Sequence, residues 1–280
     1  MIHRIIGRLD IKGPNLVKGI HLEGLRVLGK PEEFAKYYYE NGIDELIYID
    51  VVASLFGRNS LEEIITKTAR EIFIPLTVGG GLRTIDDIRS VLRAGADKVS
   101  LNTAAINNPQ IIKEASRIFG SSTITVTIEA IKQKDGSYLA FTDNGREHTG
   151  VEVLGWAKKA EQLGAGEILL TSIDKDGTGE GFDLELTKMI SKNVSIPVIA
   201  SGGAGKKEDV YKAISNGGAD AVALASLLHY NYLKTHKDRE NGEEGNTEFL
   251  KSGQSFSKVE VTSIEKIKNY LQEENIDCRN

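Results

Sequence analysis

Apolar residues along the chain gather into short runs, each closed by a glycine or a polar residue. They read "HRIIGRLD", "ELIYIDVVAS", "IPLTVGGG", "DKVSLNTAA", "TITVTIEA", "EILLTSIDKDG", "IPVIASGG" and "DAVALASLL". Their β-branched content and shortness predict strands. Between them lie amphipathic stretches, among them "PEEFAKYYYENG", "TIDDIRSVLRAG", "NPQIIKEASRIFG", "GVEVLGWAKKAEQLG" and "KKEDVYKAISNGG". Their apolar residues recur every three or four positions and most end in glycine, which predicts helices with a glycine just past the last turn. Strands that alternate with helices and are apolar nearly throughout form a parallel sheet covered by helices. Eight such units predict a (β/α)₈ barrel, with a doubly wound open sheet as the alternative.

The two halves of the pattern echo each other. Gly42 in "NGIDELIYID" matches Gly164 in "LGAGEILLTS", and Pro75 in "IPLTVGGG" matches Pro197 in "IPVIASGG", both at an offset of 122. Ala96 matches Ala219 at an offset of 123. A repeat of nearly half the chain favours the closed barrel and predicts that a site in one half has a twin across the barrel.

Composition narrows the class. The 280 residues are 40% hydrophobic and 27% charged with a net charge of −5, ordinary for a folded protein and without a pull toward nucleic acid or anionic membrane. Cys278 is the single cysteine, which excludes an intrachain disulfide and a cysteine metal site. No long apolar run and no signal-like N-terminus is present, so the expectation is a cytoplasmic enzyme. The five histidines show no metal-ligand spacing, and no metal or cofactor is expected. "DKDGTGE" and "SGGAGKKE" resemble a calcium loop and a Walker A loop but lack the remaining required positions. Trp156 and the tyrosines at 37–39 lie on helical faces and read as packing.

In a (β/α)₈ barrel the chemistry lies at the C-terminal strand ends. These carry Asp10, Asp50, Gly79 to Gly81, Asn102, Thr103, Glu129, Thr171 to Asp176, Ser201 to Gly203, and Ser226. "VGGG" and "SGGAG" are twins that precede helices, and small residues let backbone N–H groups approach an anion. One such motif is a plain turn. Two at matched positions, each followed by hydroxyl- or amide-bearing ends (Asn102 and Thr103; Ser226), predict a ligand with two phosphates. Asp10 and Glu129 are half-barrel equivalents at an offset of 119, and carboxylates in unlike environments suit paired acid and base work. Lys18 sits on the glycine- and proline-broken segment after Asp10, read as a loop.

The motifs "LDIKG…LVKG", "GIDELIYID", "TVGGG", "GADKVSLNTAA", "GAGEILLTSIDKDGTGEGFD" and "IPVIASGGAGK" closely resemble, over nearly the whole chain, the HisF family, the cyclase subunits of imidazole glycerol phosphate synthase. The resemblance implies a cyclase fed with ammonia by a class I glutaminase that docks on the N-terminal barrel face. It implies catalytic roles for Asp10 and the loop lysine Lys18, with Glu129 at the second carboxylate position. Phosphate contacts fall on Gly81, Asn102 and Thr103 on one side, and on Asp176, Gly177, Gly203 and Ser226 on the other. Thr171 and Ser201 are expected to hold the reacting part of the ligand. The charged ring at the ammonia entrance falls on Arg4, Glu45, Lys98 and Glu167.

Three departures stand out. Glu129 replaces the family's aspartate, and the added methylene moves the carboxylate by about a bond length; about 1 Å of misplacement can cost on the order of 10²-fold in rate. The first loop reads "IKGPNLVKG" in place of an Asp-Gly turn. A polar, charge-mixed insertion occupies 230–260, before the last helix "TSIEKIKNYLQEEN", and reads as a floppy loop, a lid or a docking surface. These departures resemble a paralogous branch that works with a glutaminase and a sugar amidotransferase to place acetamidino groups on surface-polysaccharide sugars. They weigh toward that branch, in which the barrel delivers ammonia as a scaffold, over the histidine pathway.

Overall fold

The computed structural model describes residues 2–53, 61–236 and 258–279. Among the described residues, twelve strands belong to one sheet. Eight of them are parallel and joined edge to edge in chain order: β1 (Arg4–Lys12), β4 (Glu45–Asp50), β5 (Leu76–Gly79), β6 (Lys98–Leu101), β7 (Ile124–Lys132), β10 (Glu167–Ser172), β11 (Val198–Ser201) and β12 (Ala221–Leu224). β12 pairs back onto β1, Arg4 opposite Ala221 and Gly7 opposite Leu224. The sheet is a closed barrel, and the open-sheet alternative is excluded. Each strand-to-strand crossover packs a helix on the outer face, and the apolar stripes of those helices with the outward residues of the strands make the main core. Trp156 and Tyr38 are buried in it, as the helical-face reading expects.

The remaining strands were not expected. β1 continues past Asp10 and turns through Gly13 and Pro14 into β2 (Asn15–Ile20), which pairs antiparallel with β1 and with β3 (Glu23–Gly29). β7 does the same, followed by β8 (Tyr138–Thr142) and β9 (Glu147–Glu152). Lys18 therefore lies on a strand, and the loop reading of "KGPNLVKG" is corrected. The helix expected over "GVEVLGWAKKAEQLG" starts at Val153, because 150–152 complete β9 and the Glu152 side chain caps it by accepting from the N–H groups of Leu154 and Gly155. The two hairpins are twins. His21 and Leu22 turn the first with φ of +52° and +61°, and Asp143 and Asn144 turn the second with φ of +54° and +59°. These pairs stand at the offset of 122 that relates the half-barrels. Positive φ at both central residues fits the right-handed twist of the flanking strands.

The insertion expected at 230–260 begins later than its composition suggests, since the helix Ser226–Thr235 runs through its first residues. Residues 237–257 lie outside the described residues. Where the chain returns, the Glu260 N–H donates to the Gly205 carbonyl at 2.7 Å and Lys258 pairs with Glu180 at 3.0 Å. Both contacts are with loops that follow β10 and β11.

The last helix, Ile264–Glu273, is fastened to the barrel by a buried charge. Lys268 donates to Asp44 at 2.7 Å, and the other oxygen of Asp44 accepts the Ile5 N–H at 2.6 Å. Removing one partner leaves a charge in a low-dielectric setting, so Asp44→Ala is expected to cost about 3–5 kcal/mol in urea unfolding. Asp44→Asn combined with Lys268→Met is expected to cost less than Lys268→Met alone, because the amide keeps the acceptor for Ile5 without an unpaired charge. Equal losses for the double and the single variant would contradict this account.

Candidate active site

Side chains alternate across a strand, so in a closed barrel every second residue enters the lumen. On β1 these are Arg4, Ile6, Arg8 and Asp10. They mark three levels, from the N-terminal floor to the C-terminal mouth.

At the floor, Arg4 reaches Glu45 at 2.9 Å and Glu167 at 2.7 Å, and Lys98 reaches the same two carboxylates at 3.2 and 3.0 Å. The ring expected from sequence is thus assembled, with each cation bridging both anions. Burial opposes the Arg4 charge, yet the two glutamates hold its proton more tightly than usual. Above the ring Ile6, Ile47, Leu169, Ile199, Ala221 and Ala223 form an apolar cluster separate from the outer core. On the other side of the lumen the Ser100 and Thr127 hydroxyls bond each other.

The mouth is polar and partitioned. Arg8 is buried; its Nε donates to Asp10 at 2.9 Å, and its NH1 donates to Thr171 at 2.9 Å and to Ser201 at 3.2 Å. Burial lowers the hold of Arg8 on its proton, and the carboxylates of Asp10, Asp176 and Glu129 more than offset it. Lys18 reaches across from β2 to Asp176 at 2.6 Å. Glu129 lies four strands round the barrel from Asp10, beside Thr171 in register, and accepts the Gly145 N–H at 2.9 Å. Desolvation pushes its carboxyl up to about 7; the Arg8 charge and the Gly145 N–H pull the other way, while Asp10 and Asp176 push it further up.

Two cavities open here. Gly81, Asn102, Thr103 and Glu129 line the larger, about 260 Å³, with Ser100 and Thr127 at its base. Among the described residues the buried Asn102 Oδ1 has no partner. Arg8, Lys18, Asp176, Gly177, Ser201, Gly203 and Ser226 line the smaller, about 20 Å³, which is space for roughly one water. The residues predicted for two anions therefore do separate into two groups on opposite sides. The glycines serve a geometric need in both. A Cβ on Gly80 would come within 2.2 Å of the Asp50 carbonyl, and one on Gly203 within 2.2 Å of the Gly181 carbonyl.

Sequence reasoning missed Arg8 and the second hairpin. Arg8 was legible from the period-two register that links Arg4 to Asp10. The hairpin residue Asn144 donates to the Leu22 carbonyl at 2.9 Å and lines the larger cavity; nothing local in "TDNGRE" announces that contact. Thr171 and Ser201, expected to hold a ligand, here accept from Arg8.

Comparison with known proteins follows the same outline. A family model for histidine biosynthesis proteins matches residues 4–234. The imidazole glycerol phosphate synthase subunit HisF of Legionella pneumophila is 61% identical over 206 residues, covering 74% of this chain and 97% of that protein. HisF of Methanocaldococcus jannaschii is 51% identical over 246 residues, covering 81% and 90%. HisF of Methanococcus vannielii is 46% identical over 263 residues, covering 87% and 97%. With its closed barrel and a match over most of its length, the chain belongs to the histidine biosynthesis protein family, among relatives that are HisF subunits.

Proposed function

We propose that this chain is the cyclase subunit of a glutamine amidotransferase of the imidazole glycerol phosphate synthase type, acting in the cytoplasm as one barrel over residues 1–280. In this reading a class I glutaminase of the HisH kind docks on the N-terminal face. Ammonia passes the Arg4–Glu45–Lys98–Glu167 ring and rises through the lumen. A bisphosphate ligand spans the mouth, one phosphate at Gly81, Asn102 and Thr103, the other at Asp176, Gly177, Gly203 and Ser226. Asp10 and Glu129 share the proton transfers, Lys18 closes over the ligand, and Thr171 and Ser201 orient the reacting part. The observation that carries this reading is the lumen itself. It has a charged ring at one end and, at the other, two carboxylates flanked by two groups of anion-suited residues. Two carboxyls with unlike surroundings, one paired with a cation and one held near pH 7, are the arrangement acid–base catalysis needs. The insertion at 230–260 is assigned as a lid or docking surface, supported by the return of its last residues onto the loops of the catalytic face.

One observation favours a second reading. The Gly203–Ser226 side holds only about 20 Å³, space for about one water, and Lys18, which lines it, is paired with Asp176. An ammonia-delivering scaffold that feeds a sugar amidotransferase does not need that side open.

The two readings separate in one assay of wild type, Glu129→Gln and Glu129→Asp with ammonium salt and the ribulosyl bisphosphate substrate. As a cyclase, wild type turns over. Glu129→Gln loses at least about 10²-fold, the lower end for removing a general acid or base, with ligand binding kept, and Glu129→Asp keeps or raises the rate. Wild-type turnover that persists in Glu129→Gln contradicts the acid–base role. No turnover in wild type, with gain in Glu129→Asp, supports the scaffold.

Crystals soaked in sulfate are expected to hold an anion at Gly81–Thr103 and, for the cyclase, a second at Gly203–Ser226 with the Lys18–Asp176 pair opened. Ordered loops with both sites empty at high sulfate would remove the bisphosphate assignment. Mixing with the cognate glutaminase at micromolar concentrations is expected to give a complex that hydrolyses glutamine faster than the glutaminase alone. The absence of any complex would count against the docking face.

A further inference from the structure

The two anion-suited groups at the mouth differ in where a positive charge comes from. On the smaller side Arg8 from β1 and Lys18 from the first hairpin both line the cavity. The corresponding strand of the second hairpin, β8, reads "YLAFT" and carries no cation. The larger cavity instead has Arg83, on the loop between β5 and the helix Ile85–Ala94. Among the described residues that line this cavity, Arg83 is the only lysine or arginine, and two carboxylates, Asp50 and Glu129, line it as well.

The helix after β5 does not supply the charge in its place. The N–H groups of Arg83 and Thr84 both donate to the Asp87 carboxylate at 2.9 Å, and the Asp87 N–H donates to the Thr84 hydroxyl at 3.1 Å. This capping box spends the donors at the helix start on the helix itself. The half-barrel twin is built alike: the N–H groups of Gly205 and Lys206 donate to Asp209 at 2.9 and 3.1 Å. Arg83 and Gly205 stand at the offset of 122 that relates the halves, as do Asp87 and Asp209. The twin position excludes a side chain, since a Cβ on Gly205 would come within 2.1 Å of the Gly179 carbonyl. At Arg83 a full side chain is accommodated, and its guanidinium donates to the Ala53 carbonyl at 3.1 Å, on the chain just past Asp50.

We propose that Arg83 is a binding residue for an anionic group of the phosphate monoester class in the larger cavity, filling from the β5 loop the place that Lys18 fills on the other side. This rests on the bisphosphate reading above and deepens it by naming the charge on the Gly81–Thr103 side. A dianion placed near Asp50 and Glu129 without a cation meets like charge at short range. A guanidinium offsets that charge and presents its N–H donors in a plane that matches phosphate oxygens. The Arg83 side chain is exposed at the rim, so it meets an incoming anion first, whereas Lys18 is buried against Asp176.

The test reads binding and needs no turnover. Inorganic phosphate is titrated at constant pH and ionic strength into the full chain labelled with ¹⁵N. The backbone N–H signals of Gly81 and Thr103 report one side, and those of Gly203 and Ser226 the other. Arg83→Gln removes the charge but keeps an N–H donor for the Ala53 carbonyl, and Arg83→Lys keeps the charge. In Arg83→Gln the affinity at Gly81 and Thr103 is expected to fall about tenfold, as for loss of a charge-assisted hydrogen bond, while Gly203 and Ser226 respond as in wild type. Arg83→Lys is expected to recover most of that affinity, which a merely structural contact would not allow. Wild-type affinity in Arg83→Gln, or an Arg83→Lys as weak as Arg83→Gln, overturns the role of Arg83 and leaves the bisphosphate reading standing. Binding that depends on Arg83 at Gly81 and Thr103, with no response at Gly203 and Ser226 in any variant, supports Arg83 and removes the second phosphate. A wild type that responds on neither side overturns both.

Discussion

Closure of the barrel is the constraint from which the rest follows. Once β12 pairs with β1, alternate residues of eight strands must share one narrow, dry lumen. A polar side chain placed there cannot turn to solvent, so it has to meet another polar side chain from a different strand. The floor obeys this with two cations bridged by two glutamates. The mouth obeys it with Arg8, which draws partners from β1, β10 and β11. The apolar layer between them separates the two charged levels, so neither can neutralise the other. The position of each charged group is thus a matter of strand register: a slip of one residue in β1 would send Arg4, Arg8 and Asp10 out into the helical layer together.

Buried charge of this kind contributes little net stability, because desolvation offsets most of the attraction. Its effect is on what the groups can do. The same desolvation that raises Glu129 toward neutrality would be wasted on a carboxylate fully neutralised by an arginine. Arg8 bonds to only one of the two carboxylates, and desolvation outweighs its charge at the other. The polar partners of the mouth are distributed unevenly between the two carboxylates.

Much of this was legible in the residues. Eight apolar runs separated by amphipathic stretches gave the barrel, because strands covered on both faces are apolar nearly throughout and helices carry a 3.6-residue period. The half-barrel offset gave the twin glycine motifs with Asn102, Thr103 and Ser226, the resemblance added Asp176 and Gly177, and the two groups line separate cavities. The charges of the floor ring were placed by resemblance, and they meet as expected. What escaped was the outcome of tertiary competition. "KGPNLVKG" has the glycine and proline of a loop, yet only Gly13 and Pro14 turn, and Asn15 onward is held as a strand because β1 extends beyond the barrel and offers an edge. "GVE" continues a helical pattern, yet the edge of β8 claims it. Arg8 looks like a surface arginine until the register of Arg4 and Asp10 is applied to it. The extent of the free cavity on each side depends on side-chain reach, as with Lys18 and Asp176, and no spacing rule encodes that.

The twin hairpins meet over the mouth, and the contact between their tips makes them one mechanical unit. Lys18 sits on the first hairpin; its turn residue Leu22 offers its carbonyl to Asn144 on the second, and the next residue, Gly145, donates its N–H to Glu129. The path from the Lys18–Asp176 ion pair to the Glu129 carboxylate is therefore a short bridge of backbone and one amide side chain. The two hairpin tips are thus tied to each other and to the Glu129 carboxylate by hydrogen bonds alone, so the lid of the barrel mouth is one continuous span that rests on a charged side chain at each end.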